Sequence, residues 1–420
     1  MPFFSSFTGS FSGGRRRPIS IGGGGGGGEF AYSYDNTDYT YSTSLYAPSF
    51  SRSITASPRS HDITLDGQWL VIGMPEYDQS ANDNNGLVEI YKLVAGSWTL
   101  HQTISPNTYD GGNSFKYRWG NTVKFTNDGT RLILDSNGYG STDNRYGAFF
   151  VYDYNAVSGN WEFVERHRPS VDASLTTFLR FVEVGNYNRL DISSNGDLIM
   201  MQQNTLEGGT MANWVVVYTK DPITGSYSYT DKHQLPRSSD SSQGHVAMSD
   251  YGHIIIGGPD SSWQNAAGGA MWAYYDIGAG TFKSSLASLS GTIGDPGSDV
   301  AMARDGSVFA VMDMNQSAIW LWEWDAGTET YSEIQRLSNA SELSTQPVSV
   351  HLSPDGERLI VTYPSSPLQV FDKDSGTGLF VESSSTAGFA SHTQWSASMS
   401  RDLKYLAIIS NSINVYQGSA

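Results

Sequence analysis

At seven places along the chain, an alternating apolar-polar stretch meets a small polar residue and a tight turn, usually Asp-Gly, and re-emerges as a continuous apolar run. The copies begin at Ile63, Val123, Leu190, Val246, Val300, Val350 and Ala397. The clearest copy runs from Val350 through Ser353, Asp355 and Gly356 to Val361, and Val300 to Val311 and Val123 to Leu134 match it position for position. Alternation before the turn predicts a half-buried strand, and the unbroken apolar run after it predicts a strand buried on both faces. Each copy therefore opens with a β-hairpin.

Downstream of each hairpin lies an aromatic-rich strand, such as Leu87 to Leu93, Ala148 to Tyr154 or Ala318 to Trp324. Six of these pass through a polar or Gly-containing turn into a fourth, more polar strand, as in Ser97 to Ile104 and Tyr331 to Leu337. The seventh copy ends with the chain and lacks its outer strand. Phe50 to Ala56 reads like the missing strand, so the two chain ends are predicted to close one ring. Four-stranded units repeated roughly every fifty to sixty residues predict an all-β fold, a seven-bladed β-propeller of antiparallel blades. Residues 1–49 are then an extended Gly/Arg/Tyr-rich arm and residues 50–420 the propeller.

Charge narrows the partners. Lys and Arg number 25 against 42 Asp and Glu, a net charge of -17. Such a surface repels phosphate backbones and anionic lipid, so no nucleic-acid partner and no membrane insertion are expected. The chain has no cysteine, hence no disulfide and no thiolate metal site. The N-terminal residues lack the basic region and apolar core of a secretory signal.

The arm has a composition of its own. Gly9 to Gly14 is a Gly/Ser/Phe tract, Arg15, Arg16 and Arg17 form a basic cluster, and Gly22 to Gly28 are consecutive glycines. Such a stretch cannot offset its backbone entropy by burying a core. Tyr32, Tyr34, Tyr39 and Tyr41 alternate by two within each pair, which suits an extended segment laid on another surface with tyrosines as anchors. Arg15, Arg16, Arg17 and these four tyrosines are the candidate docking residues.

Chemical motifs are sparse. Gly22 to Gly28 formally satisfies the dinucleotide pattern, but no strand precedes it and no helix follows. Asp78, Asn82, Asp83, Asn84 and Asn85 make an oxygen-rich loop, yet Ala81 and Lys92 stand where a calcium loop needs ligands, and a polar turn is the expectation. The eight histidines are scattered, and His61 and His245 fall shortly before innermost strands, where hydrogen bonds brace propeller loops. No catalytic residue, cofactor or metal site is read from the chain. Among the aromatics, Tyr77, Trp119, Tyr139 and Trp263 fall in expected loops and are candidates for stacking on sugar rings.

The Ser-Pro-Asp-Gly hairpin at residues 353–356 resembles the repeats of WD40-type and lactonase-type propellers. The pairing of Gly86 to Tyr91 with Ser97 to Ile104 is similar to FG-GAP-type propellers. Both resemblances imply the fold more than a role. Phe7 to Pro18, followed by poly-Gly, resembles the leaders that open some structural proteins of marine tailed bacteriophages. That resemblance implies a virion component, assembled in the host cytoplasm and released by lysis. Its arm would dock on other virion proteins, and its propeller would be displayed for decoration, bridging or contact with a host-surface glycan or protein. The expectation is a non-enzymatic structural or interaction protein, with a soluble carbohydrate-binding module as the alternative and a propeller enzyme behind both.

Overall fold

The protein is described here by a computed structural model, covering residues 39–45, 60–75, 77, 86–105, 119–136, 148–167, 179–180, 190–207, 210–234, 245–258, 269–288, 296–313, 316–338, 342–344, 347, 349–363, 368–383, 396–400, 405–409 and 413–418. These residues form seven antiparallel sheets, each a blade. Blade 1 takes its four strands in order from Ser60–Ile63, Trp69–Met74, Leu87–Val94 and Ser97–Ile104. The innermost strands of blades 2 to 7 are Trp119–Phe125, Leu190–Ile192, Val246–Met248, Pro296–Met302, Ser349–Leu352 and Ser396–Met399. Blade 3 departs from the pattern: its second and third strands lengthen to Leu198–Glu207 and Thr210–Lys220, and a short strand, Leu179–Arg180, pairs with the extension.

The Ser/Thr-x-Asp-Gly signature has a local cause. The Thr64, Thr126, Ser193, Ser249, Ser353 and Ser400 hydroxyls each accept the backbone N–H at the start of the second strand, at 2.8–3.1 Å. In the copies led by Thr64, Thr126 and Ser353, the same hydroxyl donates to the turn aspartate at 2.6 Å. Ala303 takes the place in blade 5, where Ser307 instead donates to Asp305. The turn glycine is left-handed, as at Gly356 with φ 70°, a conformation that costs other residues energy.

Successive turns are tied to one another. Asn127 N–H donates to Ser194 O, Ser194 N–H to Asp250 Oδ1, Asp250 N–H to Arg304 O and Asp305 N–H to Pro354 O. Strand direction puts all these turns on one face of the ring. The third strand of a blade runs parallel to the first, so the outer hairpin turns lie on that face too. The longer connections join strand ends on the opposite face.

The core sits between blades. Seven buried apolar clusters occur among the described residues, and each straddles one pair of adjacent blades. Aromatic residues dominate them: Trp69 meets Trp161 edge-on at 5.8 Å between blades 1 and 2, and Trp272 meets Tyr331 at 5.2 Å between blades 4 and 5. One cluster joins Ile63, Leu70 and Tyr91 of blade 1 to Tyr405, Ala407 and Val415 of blade 7, which closes the wheel.

The closing strand is not the expected one. Tyr39–Leu45 pairs antiparallel with Ile413–Gly418 as the outer strand of blade 7, with Tyr39 opposite Gly418 and Leu45 opposite Ile413. Exchange of strands between the chain ends therefore stands, but the strand comes from upstream of Phe50 to Ala56, and those residues lie outside the described set. The Thr/Tyr/Ser alternation of Tyr39–Leu45 suits an outer strand. Tyr39 and Tyr41 belong to the ring rather than to a free arm.

Candidate functional site

The seven inner strands present a free backbone edge to the central channel, and an open edge exposes unpaired N–H groups. Among the described residues, three aspartates reach across to the inner strand of the next blade. Asp62 Oδ2 accepts the N–H of Phe125 in the next blade at 2.7 Å. Asp191 Oδ2 does the same for Met248 at 3.0 Å, and Asp299 Oδ2 for Val350 at 3.0 Å. Asp191 and Asp299 use their other oxygen on their own strand, at the N–H of Ile192 and Val300. All three are buried, and each such charge-assisted bond contributes roughly 1.5–3 kcal/mol. They are blade-to-blade clamps.

Arg304 reinforces this arc from the fifth turn. Its Nη1 donates to Asp191 Oδ2 at 3.2 Å, Ile192 O at 3.1 Å and Met248 O at 3.0 Å, so one guanidinium ties blades 3, 4 and 5. His245 Nδ1 lies 2.9 Å from Asp299 Oδ1. Burial pushes the Asp299 carboxyl up, but His245, His351 and the Val350 N–H outweigh it and hold the group below the usual carboxylate range.

Pairing register shows what faces what. Asp62, Lys124, Asp191, Ala247, Ala301, His351 and Ser398 occupy one level of the inner strands, one from each blade. His61 stands one level away, in the place that Val123 and Val350 fill elsewhere. Its Nε2 lies 3.0 Å from Ala407 O of blade 7. Burial lowers His61 to about 3 and His351 to about 4, each further depressed by the charge of Lys124, so both rings are neutral. His245, Asp299, His351 and Lys124 thus influence one another around the inner strands, while His61 turns toward the second strand of blade 7.

Sequence reasoning placed His61 and His245 near inner strands and missed these contacts. The first repeat was aligned on Ile63, whereas the strand is Ser60–Ile63 and Thr64 is the turn hydroxyl. Aligning Thr64 with Thr126 and Ser353 would have put His61 in register with Val123 and exposed the anomaly.

The loop-aromatic expectation needs correction. Trp119 opens the inner strand of blade 2, is 2% exposed and packs on Phe150 with ring centroids 4.3 Å apart. It is core, because the strand begins four residues before the repeat at Val123. Tyr77 packs, partly buried, against the cluster between blades 1 and 7. Tyr139, Trp263, Arg15, Arg16, Arg17, Tyr32 and Tyr34 lie outside the described residues. Among the described residues no group of three or more His, Asp or Glu has the geometry to hold a metal ion. No helix among them is long and apolar enough to cross a membrane.

The chain is a seven-bladed β-propeller. It is similar in fold to the WD40 repeats of RRP9, with a TM-score of 0.56 at 10% identity over 91% of this chain and 100% of that one. It is also similar to U3-55K, with a TM-score of 0.55 at 10% identity over 92% and 100% of the two chains. At such identity the likeness is one of fold alone. No family model matches the sequence, and no curated protein is recognisably similar to it.

Proposed function

We propose that this propeller is a non-enzymatic interaction scaffold, displayed on a virus particle and attached to other virion proteins through residues 1–38. The observation that carries the reading is where the closing strand begins. Tyr39 pairs with Gly418, at the end of a third strand, so the closing strand begins on the face of the short turns. That face also bears aliphatic tips of the outer hairpins: Val157 is 99% exposed and Ile223 92%. Arm and tips together fit attachment of this face to a neighbour, leaving the face of longer connections for bridging or for a host-surface glycan or protein.

Two further features support it. The inner-strand carboxylates Asp62, Asp191 and Asp299 are engaged in blade clamps, which fits a structural role for them. The Gly/Phe/Arg leader with Arg15, Arg16 and Arg17 resembles those of phage structural proteins, and its cations suit an acidic neighbouring subunit. On this reading the protein assembles in the host cytoplasm and leaves by lysis.

Co-expression with the proteins encoded beside it tests the proposal. The full chain should sediment with assembled particles, while a chain lacking residues 1–38 remains soluble, folded and free. A full chain that stays in the free fraction, or a truncated one that incorporates equally, contradicts it.

A further inference from the structure

The hairpin turns differ in one chemical respect. Just before the turn glycine stand Asp66, Asp128, Asp305 and Asp355 in four copies, whereas blade 3 has Asn195. An asparagine followed by glycine carries a reaction of its own. Glycine has no β-carbon to shield its backbone nitrogen, which can attack the asparagine side-chain carbonyl. Of the three such pairs in the chain, Asn85-Gly86, Asn137-Gly138 and Asn195-Gly196, only the last lies wholly within the described residues.

The turn itself imposes this pair. Gly196 has φ 72°, and a β-carbon on it would sit 2.6 Å from Thr126 Cγ2 of blade 2, so glycine is required. Asn195 Nδ2 donates to Asp197 Oδ2 at 2.6 Å, a bond that an ionised carboxylate at 195 could not make. Asp197 is in turn paired with Lys220 at 2.7 Å.

The closed turn holds the reaction off. Attack needs the Gly196 nitrogen free and the Asn195 carboxamide carbon swung over it. Instead, Gly196 N–H donates to Ser193 O at 2.9 Å, and Gly196 O accepts the Tyr227 hydroxyl at 2.5 Å. Asn195 Oδ1 accepts the Ser193 hydroxyl at 2.8 Å and the Asp197 N–H at 3.0 Å. Neighbouring blades add to the restraint, since Ser194 N–H donates to Asp250 Oδ1 and Ser194 O accepts from Asn127 N–H. Asn195 is exposed, so water reaches the site once the turn opens.

We propose that Asn195 is a modification site, deamidated spontaneously when the blade 3 turn opens. The Gly196 nitrogen bonds to Asn195 Cγ, the Cγ–Nδ2 bond breaks, and ammonia leaves with the Gly196 N–H proton, which closes a succinimide ring. Water then opens the ring. Cleavage of the new Cγ–N bond leaves an aspartate, and cleavage of the bond from Asn195 C to Gly196 N leaves an isoaspartate, whose main chain is longer by one carbon. Neither product rebuilds the turn. An aspartate sets a carboxylate against Asp197 where the amide donated, and an isoaspartate lengthens a turn whose ends are fixed by the flanking strands. An opening of blade 3 is thereby recorded in the covalent chain. The site is independent of the arm and of the attachment proposed above.

Incubation of the full chain at mildly alkaline pH in heavy-oxygen water, native and in urea, followed by peptide mass spectrometry, provides the test. Asn195 should convert at least about tenfold faster in the unfolded chain, because the native reaction waits on local opening. Tyr227→Phe, which removes only the hydroxyl on Gly196 O, should fold and speed the native conversion. Asn195→Asp should lower the urea midpoint. Absence of conversion at Asn195 in the unfolded chain, equal rates in the native and unfolded chains, an unchanged native rate in Tyr227→Phe, or an Asn195→Asp variant as stable as the parent would overturn the proposal.

Discussion

Gly67, in the first hairpin turn, lies against the ring of Tyr405 in blade 7, so close that a β-carbon there would sit 2.1 Å from Tyr405 Cε2. The contact crosses the seam where the chain ends meet, and Gly67 also has φ 63°. Gly96, with φ 80°, has no neighbouring atom within 4 Å of such a β-carbon. The pair separates backbone strain from seam packing. Gly96→Ala should cost about 1 kcal/mol from strain alone. Gly67→Ala should cost about 2–4 kcal/mol, because overpacking adds to the strain. Urea midpoints of the two variants check this; equal losses would mean the seam is not packed as described.

Asp191 is the most heavily used of the channel carboxylates. Asp191→Ala strips the Met248 N–H of its acceptor and the Arg304 guanidinium of its counter-charge. Breaking a buried pair by removing one partner costs about 3–5 kcal/mol. The variant should show that loss in denaturant unfolding, and a second substitution, Arg304→Met, should restore part of it by removing the stranded cation.

Acid should weaken the wheel through its buried histidines. Burial holds His253 at about 4, against 6.5 when exposed, between Tyr274 and Trp324. His61, at about 3, and His351, at about 4, behave alike. Between pH 6.5 and 4 the unfolded chain therefore binds more protons than the folded one. Stability from these groups is complete above pH 6.5 and is lost as pH falls toward 4, at about 1.4 kcal/mol per unit for each histidine within its window. His253→Phe keeps an aromatic ring at the contact and should flatten the fall in urea midpoint between pH 6.5 and 4.5. A variant with the same pH slope as the parent would contradict the assignment.

The fold was legible because the hairpin signature is local. Thr64, Ser353 and their counterparts bond within their own hairpins, so each copy carries its own instructions, and counting copies gives the blades. The closing strand was not legible, since Tyr39–Leu45 is fixed by a partner over 360 residues away, and Phe50 to Ala56 has the same outer-strand character. Trp119 was misplaced for a related reason: the inner strand of blade 2 extends beyond the alternating stretch that betrayed it. The electrostatic coupling of His61, Lys124 and His351 was hidden because they come from three blades and approach one another only when the ring is shut.

Closure by Tyr39–Leu45 is the claim on which the ring geometry and the proposed attachment both depend. Two truncations measure it directly: removal of residues 1–38, which spares the closing strand, and removal of residues 1–45, which deletes it. Thermal and urea unfolding of the first should match the full chain. The second should lose several kcal/mol through exposure of the Ile413–Gly418 edge, and amide hydrogens of that strand should exchange faster. Equal stability and equal protection of Ile413–Gly418 in the two truncations would contradict the account.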